Sequence, residues 1–233
     1  MTSTLVTGGN RGLGRETARR LVELGHTVYL GARDAARGQI VADQVGARFV
    51  RLDVTDDASV EAAADELARR EGRLDVLVNN AGVFEGMVAP QDVTVARLRP
   101  VFEVNVFGAV RVIAAFLPLL RASDAPVIVN VGTGLGSFGM VTDPERNESH
   151  YALPIYASSK AALHMLTVQY ARGLPDLRIN AVEPGFTATD LHGMSGPGIQ
   201  SVAEGVAVIV RMATVGPDGP TGTFVDRDGE LPW

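Results

Sequence analysis

Close to its start the chain reads Leu5-Val6-Thr7-Gly8-Gly9-Asn10-Arg11-Gly12-Leu13-Gly14, an apolar strand that runs into a glycine loop and then into a helical pattern. This order constrains the fold more than any other stretch. A helix start offers unpaired N–H groups and a partial positive charge, so it attracts phosphate. Glycines let the backbone turn sharply and approach the ligand closely. The spacing Gly8-x-x-x-Gly12-x-Gly14 differs from the common G-x-G-x-x-G, and an isolated glycine loop is often only a turn. Its place between a first strand and an amphipathic helix predicts a pyrophosphate-binding turn.

Strand and helix patterns alternate along the whole chain. Apolar runs predict buried parallel strands at 2–7, 27–31, 48–52, 74–78, 126–131, 177–182 and 222–225. Helical patterns fall at 12–24, 35–44, 57–70, 94–121, 157–172 and 201–213. Pro100 and Pro118 predict a bent start and a late turn in the fourth. This is a doubly wound, Rossmann-like α/β fold with helices on both faces. With 233 residues, 46% of them apolar, the chain suits a single domain, 1–233, around one sizeable core. Two stretches break the rhythm: 134–154, and 185–200 with four glycines and a proline. Both follow a strand, at the carboxyl edge where such sheets bind ligands, so at least one is expected to wall the substrate.

Composition narrows the chemistry. A net charge of −6 without a basic block argues against nucleic acid or an anionic membrane as partner. The absence of cysteine excludes thiol catalysis and cysteine metal sites. The four histidines His26, His150, His164 and His192 show no ligand spacing, so no metal is expected. No apolar run approaches the ~20 residues of a membrane span and no secretory leader opens the chain, which makes the cytoplasm the expected location.

Further motifs recur at successive strand ends: Asp53-Val54, Asn79-Asn80-Ala81-Gly82, Val104-Asn105-Val106, Tyr156-Ala157-Ser158-Ser159-Lys160, and Pro184-Gly185-x-x-x-Thr189. With Thr7–Gly14 they cover nearly the whole chain. The ordered set resembles the short-chain dehydrogenase/reductase family, and within it the NADPH-dependent carbonyl reductases. The resemblance implies a parallel sheet of about seven strands, a nicotinamide cofactor, and hydride transfer between a carbonyl and an alcohol.

Carbonyl reduction also needs a proton donor at the oxygen. Tyr156 and Lys160, four apart on a helix, share a face. A free phenol has a pKa near ~10, and an adjacent ammonium and the cofactor's positive charge are expected to lower it. In the family the matching lysine also binds the nicotinamide ribose, and the asparagine matching Asn105 holds a water on a proton relay. The family's catalytic serine after the fifth strand falls here on Thr133. Threonine keeps a hydroxyl donor but adds a methyl that restricts its rotamer. Ser137 is the reserve candidate, and a third reading leaves the site silent. Thr133, Gly134, Ser137 and Phe186 are the expected substrate contacts. Tyr151, Phe138, Met140 and Met194 extend the loops' apolar character and point to an apolar ketone or aldehyde.

The cofactor choice turns on the end of the second strand, Gly31-Ala32-Arg33-Asp34. An NAD site wants a carboxylate at the position occupied by Ala32. Arg33 instead suits a 2′-phosphate, and Arg11 in the glycine loop is a second cation for it. NADP(H) is therefore expected. Gly8, Asn10, Arg11, Gly12, Leu13 and Gly14 are read as the phosphate turn. The resemblance sets Asp53 and Val54 beside the adenine, Asn80, Ala81 and Gly82 beside the adenosine ribose, and Pro184, Gly185, Thr187 and Thr189 around the nicotinamide. Asn79 is read as a bridge between strands. Relatives pair through helices matching 94–121 and 157–172. The segment from Thr133 to Tyr156 is longer than in simple members, which favours a monomer; a homodimer is the expectation retained. The competing function is a non-catalytic NADP(H)-binding sensor or scaffold with a silenced site.

Overall fold

The structure, a computed structural model, describes residues 1–188 and 199–233; Thr189, His192 and Met194 lie outside the described residues. The elements follow one another as β1 (Ser3–Thr7), α1 (Gly12–Glu23), β2 (Thr27–Ala32), α2 (Ala35–Val45), β3 (Arg48–Arg51), α3 (Asp57–Glu71) and β4 (Val76–Asn79). Then come α4 (Val95–Phe102), α5 (Gly108–Arg121), β5 (Val127–Val131), α6 (Phe138–Val141), α7 (Pro154–Gly173), β6 (Arg178–Val182), α8 (Val202–Ala213) and β7 (Phe224–Val225). The seven strands form one sheet in the order β3-β2-β1-β4-β5-β6-β7, and every pairing is parallel. The order reverses between β1 and β4, which opens a crevice at their carboxyl ends.

Successive strand residues serve opposite faces, because side chains alternate along a strand. Val6, Leu30, Val78 and Val129 pack with α1, α2 and α8 through Leu21, Val41 and Ile209. Their neighbours Leu5, Tyr29, Leu77 and Ile128 pack with α3 and α5 through Leu67, Ile113 and Phe116. Both faces are covered, so the strands read as continuous apolar runs rather than alternating ones.

The fourth predicted helix departs from expectation. Its irregularity is not a bend at Pro100 or a turn at Pro118, both of which lie inside helices, but a π-helical turn at Glu103–Phe107. The buried Asn105 at its centre accepts from the Val83 N–H (2.8 Å) and donates to the Val83 carbonyl (3.0 Å) and the Ser159 hydroxyl (3.0 Å). A side chain that crosses to two neighbouring segments gives a physical reason for the extra residue in the turn. The run Val95–Arg121 is also long and apolar enough to cross a membrane by length and composition, more than the sequence reading allowed. Here it lies along the sheet, with Val112, Phe116 and Leu120 in the core.

The stretch after β5 is not plain loop. It holds 3-10 turns at Gly134–Gly136 and Asn147–His150, with α6 between them.

Candidate active site

A cavity of about 650 Å³ occupies the crevice at the strand ends. Its floor is the glycine loop, where Gly8 holds a φ of +63° and Gly12 one of +50°. A side chain at Gly8 would meet the Ala81 backbone at 2.9 Å, and one at Gly14 would meet the Gly8 carbonyl at 2.5 Å. The backbone thus lies bare along the cavity, which leaves room for a pyrophosphate at the start of α1. The loop is held from β4: Asn80 donates to the Thr7 carbonyl (2.8 Å) and the Gly8 carbonyl (3.2 Å), while the Thr7 hydroxyl accepts from the Asn80 and Ala81 N–H groups. Asn79 donates to Asn130 (2.9 Å), as the strand-bridge reading expects, and Asn130 donates to Thr167 of α7 (2.9 Å). This buried chain sets the position of α7 against the sheet.

At the far end of the cavity stand Arg11, Arg33 and Arg37. Arg37, which the sequence reading missed, is four residues beyond Arg33 at the start of α2. Among the described residues none of the three is in an ion pair. Asp34 also borders this end, but its carboxylate accepts from the Arg37 N–H and caps α2. Asp53 and Val54 line the adjoining wall. Burial opposes ionisation of Asp53, but the Thr55 N–H and hydroxyl, with Arg33 and Arg51 nearby, hold its carboxyl below the usual range. Glycines and backbone donors along this wall fit a nicotinamide dinucleotide, NAD(H) or NADP(H).

The opposite half of the cavity is lined by Thr133, Leu135, Tyr151, Leu153, Tyr156, Lys160 and Phe186, beside Phe84 and Met87. Tyr156 is buried and meets Phe84 edge-on, with centroids 5.4 Å apart. Lys160 Nζ donates to the Val131 carbonyl at 2.8 Å. Burial pushes the Lys160 pKa down to about 8, with Glu183 opposing that shift. Tyr156 corrects an expectation. Burial raises its pKa above that of a free phenol, and the charges of Glu183 and Glu85 raise it further. The Lys160 ammonium alone does not reverse this.

Thr133 reaches the cavity and caps the 3-10 turn by accepting from the Leu135 N–H. Ser137 does not reach it. Its hydroxyl is buried, donates to the Pro232 carbonyl (2.7 Å) and accepts from the Met140 N–H (3.0 Å), so the reserve role falls away. Gly134 is also displaced from the lining, because its N–H turns to Glu183 and the Glu148 side chain lies over it. Phe138 is exposed and Met140 lies in the core with Phe224. His150 is exposed. Of the nicotinamide set, Pro184, Gly185 and Thr187 line the cavity, and the Thr187 hydroxyl is engaged within the turn by the Pro184 and Gly185 carbonyls.

Two acidic lining residues also escaped the sequence reading. Glu183 precedes the Pro-Gly turn, and Glu148 lies in the 3-10 turn Asn147–His150. Only the position of Glu183 at the end of β6 could have signalled it. The C-terminal tail braces this side from behind. Trp233 stacks on Phe224 (5.5 Å) and meets His164 edge-on (5.5 Å), and its carbonyl accepts from Gly139.

Residues 2–198 match the short chain dehydrogenase family. The chain is 38% identical to the short-chain dehydrogenase anuI of Penicillium roqueforti, over 97% of this chain and 94% of that protein. It is 30% identical to the (+)-neomenthol dehydrogenase of Arabidopsis thaliana, over 96% and 95% respectively. The NADPH-bound carbonyl reductase from chicken fatty liver superposes with a TM-score of 0.89 at 26% identity, covering 100% of this chain and 99% of that one. Sheet order, glycine cradle and sequence agree: the chain is an oxidoreductase of the short-chain dehydrogenase/reductase family.

Proposed function

We propose that the protein reduces an apolar ketone or aldehyde to an alcohol with NADPH. One observation carries this reading: Tyr156, Lys160 and Thr133 converge on the apolar half of a cavity whose other half is a glycine cradle ending in three arginines. NADPH, when bound, supplies the hydride. The protein's own groups supply the rest. Tyr156 stays protonated in its buried setting and gives its proton to the carbonyl oxygen as charge develops there. Thr133 offers a second donor to that oxygen. Lys160 holds positive charge beneath the phenol and steadies the phenolate left behind. Phe84, Leu135, Leu153 and Phe186 exclude water and favour an apolar body. The relatives support this reading by their names, a neomenthol dehydrogenase and a carbonyl reductase.

The exposed Phe107 and Met165, on the faces of the fourth-helix run and α7, support a homodimer through these helices, which a light-scattering mass tests. The activity is tested by following NADPH and NADH consumption against aldehydes, aryl ketones, cyclic terpenoid ketones and quinones. Turnover with NADPH supports the reductase. Tight NADPH binding without turnover on any carbonyl favours the silent-site reading.

A further inference from the structure

After β7 the chain doubles back on that strand. Glu230 bridges to Val225, and the Leu231 N–H donates to the Phe224 carbonyl at 2.8 Å. Two carbonyls of this tail then take donors from the stretch after β5: the Ser137 hydroxyl donates to Pro232 (2.7 Å) and the Gly139 N–H to Trp233 (2.8 Å). Ser137 and Gly139 follow directly on the 3-10 turn that Thr133 opens. In that turn the Thr133 carbonyl accepts from the Gly136 N–H (2.9 Å) and the Gly134 carbonyl from the Ser137 N–H (3.0 Å). The turn lies flush on α7. A Cβ at Gly136 would meet the Lys160 backbone at 2.8 Å, and one at Gly132 would collide with His164 Nε2. His164 is itself held by rings, with centroids 4.4 Å from Phe224 and 5.5 Å from Trp233. Its Nε2 accepts from the Thr133 N–H (3.5 Å), while its buried Nδ1 has no hydrogen-bond partner among the described residues.

We propose that Pro232 and Trp233 are positioning residues for Thr133, and that the tail Leu231–Trp233 sets where the threonine hydroxyl stands in the reaction space. The proposal rests on the reductase reading above, in which that hydroxyl is the second donor to the substrate carbonyl. Two routes join the tail to Thr133. One runs along the chain: Pro232 and Trp233 anchor Ser137 and Gly139, and these anchor the turn. The other runs through packing, from Trp233 to His164 and from His164 to the Thr133 backbone. Threonine makes the coupling tight. Its β-branch restricts χ1, and its oxygen already accepts from the Leu135 N–H within the turn, so the hydroxyl follows the backbone instead of rotating to correct a shift. None of Ser137, Gly139, His164, Pro232 and Trp233 lines the cavity. The tail bonds to β7 and to the start of α6, whereas the glycine cradle is built by β1, α1 and β4. Groups that touch neither cofactor nor substrate act on the rate through the donor they aim, which must stand where charge develops.

The test pairs steady-state kinetics with amide hydrogen exchange in Trp233→Ala and Gly139→Ala. The first removes the ring that packs on His164. The second displaces the tail from outside the cavity, because a Cβ at position 139 would meet the Pro232 ring at 2.7 Å. Each is expected to lower kcat for carbonyl reduction about 10- to 100-fold and to leave the KM for NADPH within about twofold. Trp233→Phe, which keeps a ring between Phe224 and His164, is expected to retain most of the rate. Thr133→Val has no hydroxyl to aim, so on that background the tail substitutions are expected to cost nothing further. A tail that only stabilised the fold would lower kcat by the same factor with or without the hydroxyl, and that result overturns the proposal. Exchange gives a readout free of turnover: in both tail variants it is expected to quicken at Thr133–Ser137 and to stay unchanged at Gly8–Gly14. Unchanged protection at Thr133–Ser137 also overturns the proposal. Should Trp233→Ala fail to fold, Gly139→Ala carries both comparisons. If the unmodified protein reduces no carbonyl, or Thr133→Val keeps the full rate, the reading beneath the proposal fails instead and the positioning role falls with it.

Discussion

Lys160 sets its ammonium 5.8 Å from the centroid of the Tyr156 ring while donating to the Val131 carbonyl. The bond to β5 fixes the cation under the phenol. Tyr156→Phe removes the proton donor but keeps the ring that packs on Phe84. Its expected effect is a loss of kcat of about 100- to 10,000-fold with NADPH affinity nearly unchanged. Full turnover by the variant would remove Tyr156 from the chemistry.

The arginine end of the cavity makes a separate prediction about cofactor choice. Arg33 faces the same wall as Asp53 and stands where no carboxylate competes at Ala32. A charge-assisted bond to a 2′-phosphate contributes about 1.5–3 kcal/mol. Arg33→Ala is therefore expected to weaken NADPH binding about 10- to 100-fold and to leave NADH binding unchanged, as read by fluorescence titration. Equal losses for the two cofactors would place Arg33 away from the phosphate.

The succession of strands and helices, both helix layers and the glycine cradle were legible in the sequence because each rests on a local signal: apolar runs, helical periodicity, and glycines at a strand end. The residues expected at the cavity largely reach it for the same reason, since strand ends converge in this topology. What stayed hidden depends on contacts between distant segments. Glu183 reads as an ordinary polar residue until β5 brings Thr133 and Gly134 alongside it. Ser137 sits four residues beyond Thr133, but the tail at Pro232 takes its hydroxyl out of the cavity. The π-turn at Asn105 has no sequence signature apart from the asparagine itself.

That asparagine carries a stability prediction. Both N–H groups of its amide are used, on Val83 and Ser159, and its oxygen serves Val83. A relay water on this residue's donors would break that scaffold. Asn105→Ala leaves the Val83 N–H and carbonyl without these partners and is expected to lower stability by about 2–4 kcal/mol. Denaturant unfolding at neutral pH measures it. A loss of activity with unchanged stability would instead favour a role in the chemistry alone.

His164 gives the protein an acid-sensitive point behind the site. It lies buried between Phe224 and Trp233. Burial, then the Lys160 charge, depress its pKa from 6.5 to about 3, against a backbone contact at Gly136 that raises it. The folded state therefore binds fewer protons than the unfolded chain at any pH between these two values. This group's contribution to stability is complete above the unfolded pKa and declines as pH falls below it, by at most about 1.4 kcal/mol per pH unit. Between neutrality and pH ~5 that amounts to about 2 kcal/mol. Other groups titrate in the same window. The raised Glu183 works in the opposite sense, losing its contribution as pH rises, so the comparison must be between variants. His164→Gln cannot take up the proton, and its unfolding free energy is expected to fall less steeply on acidification than that of the unmodified protein. Parallel pH slopes for the two would mean that His164 accepts its proton without leaving the folded state.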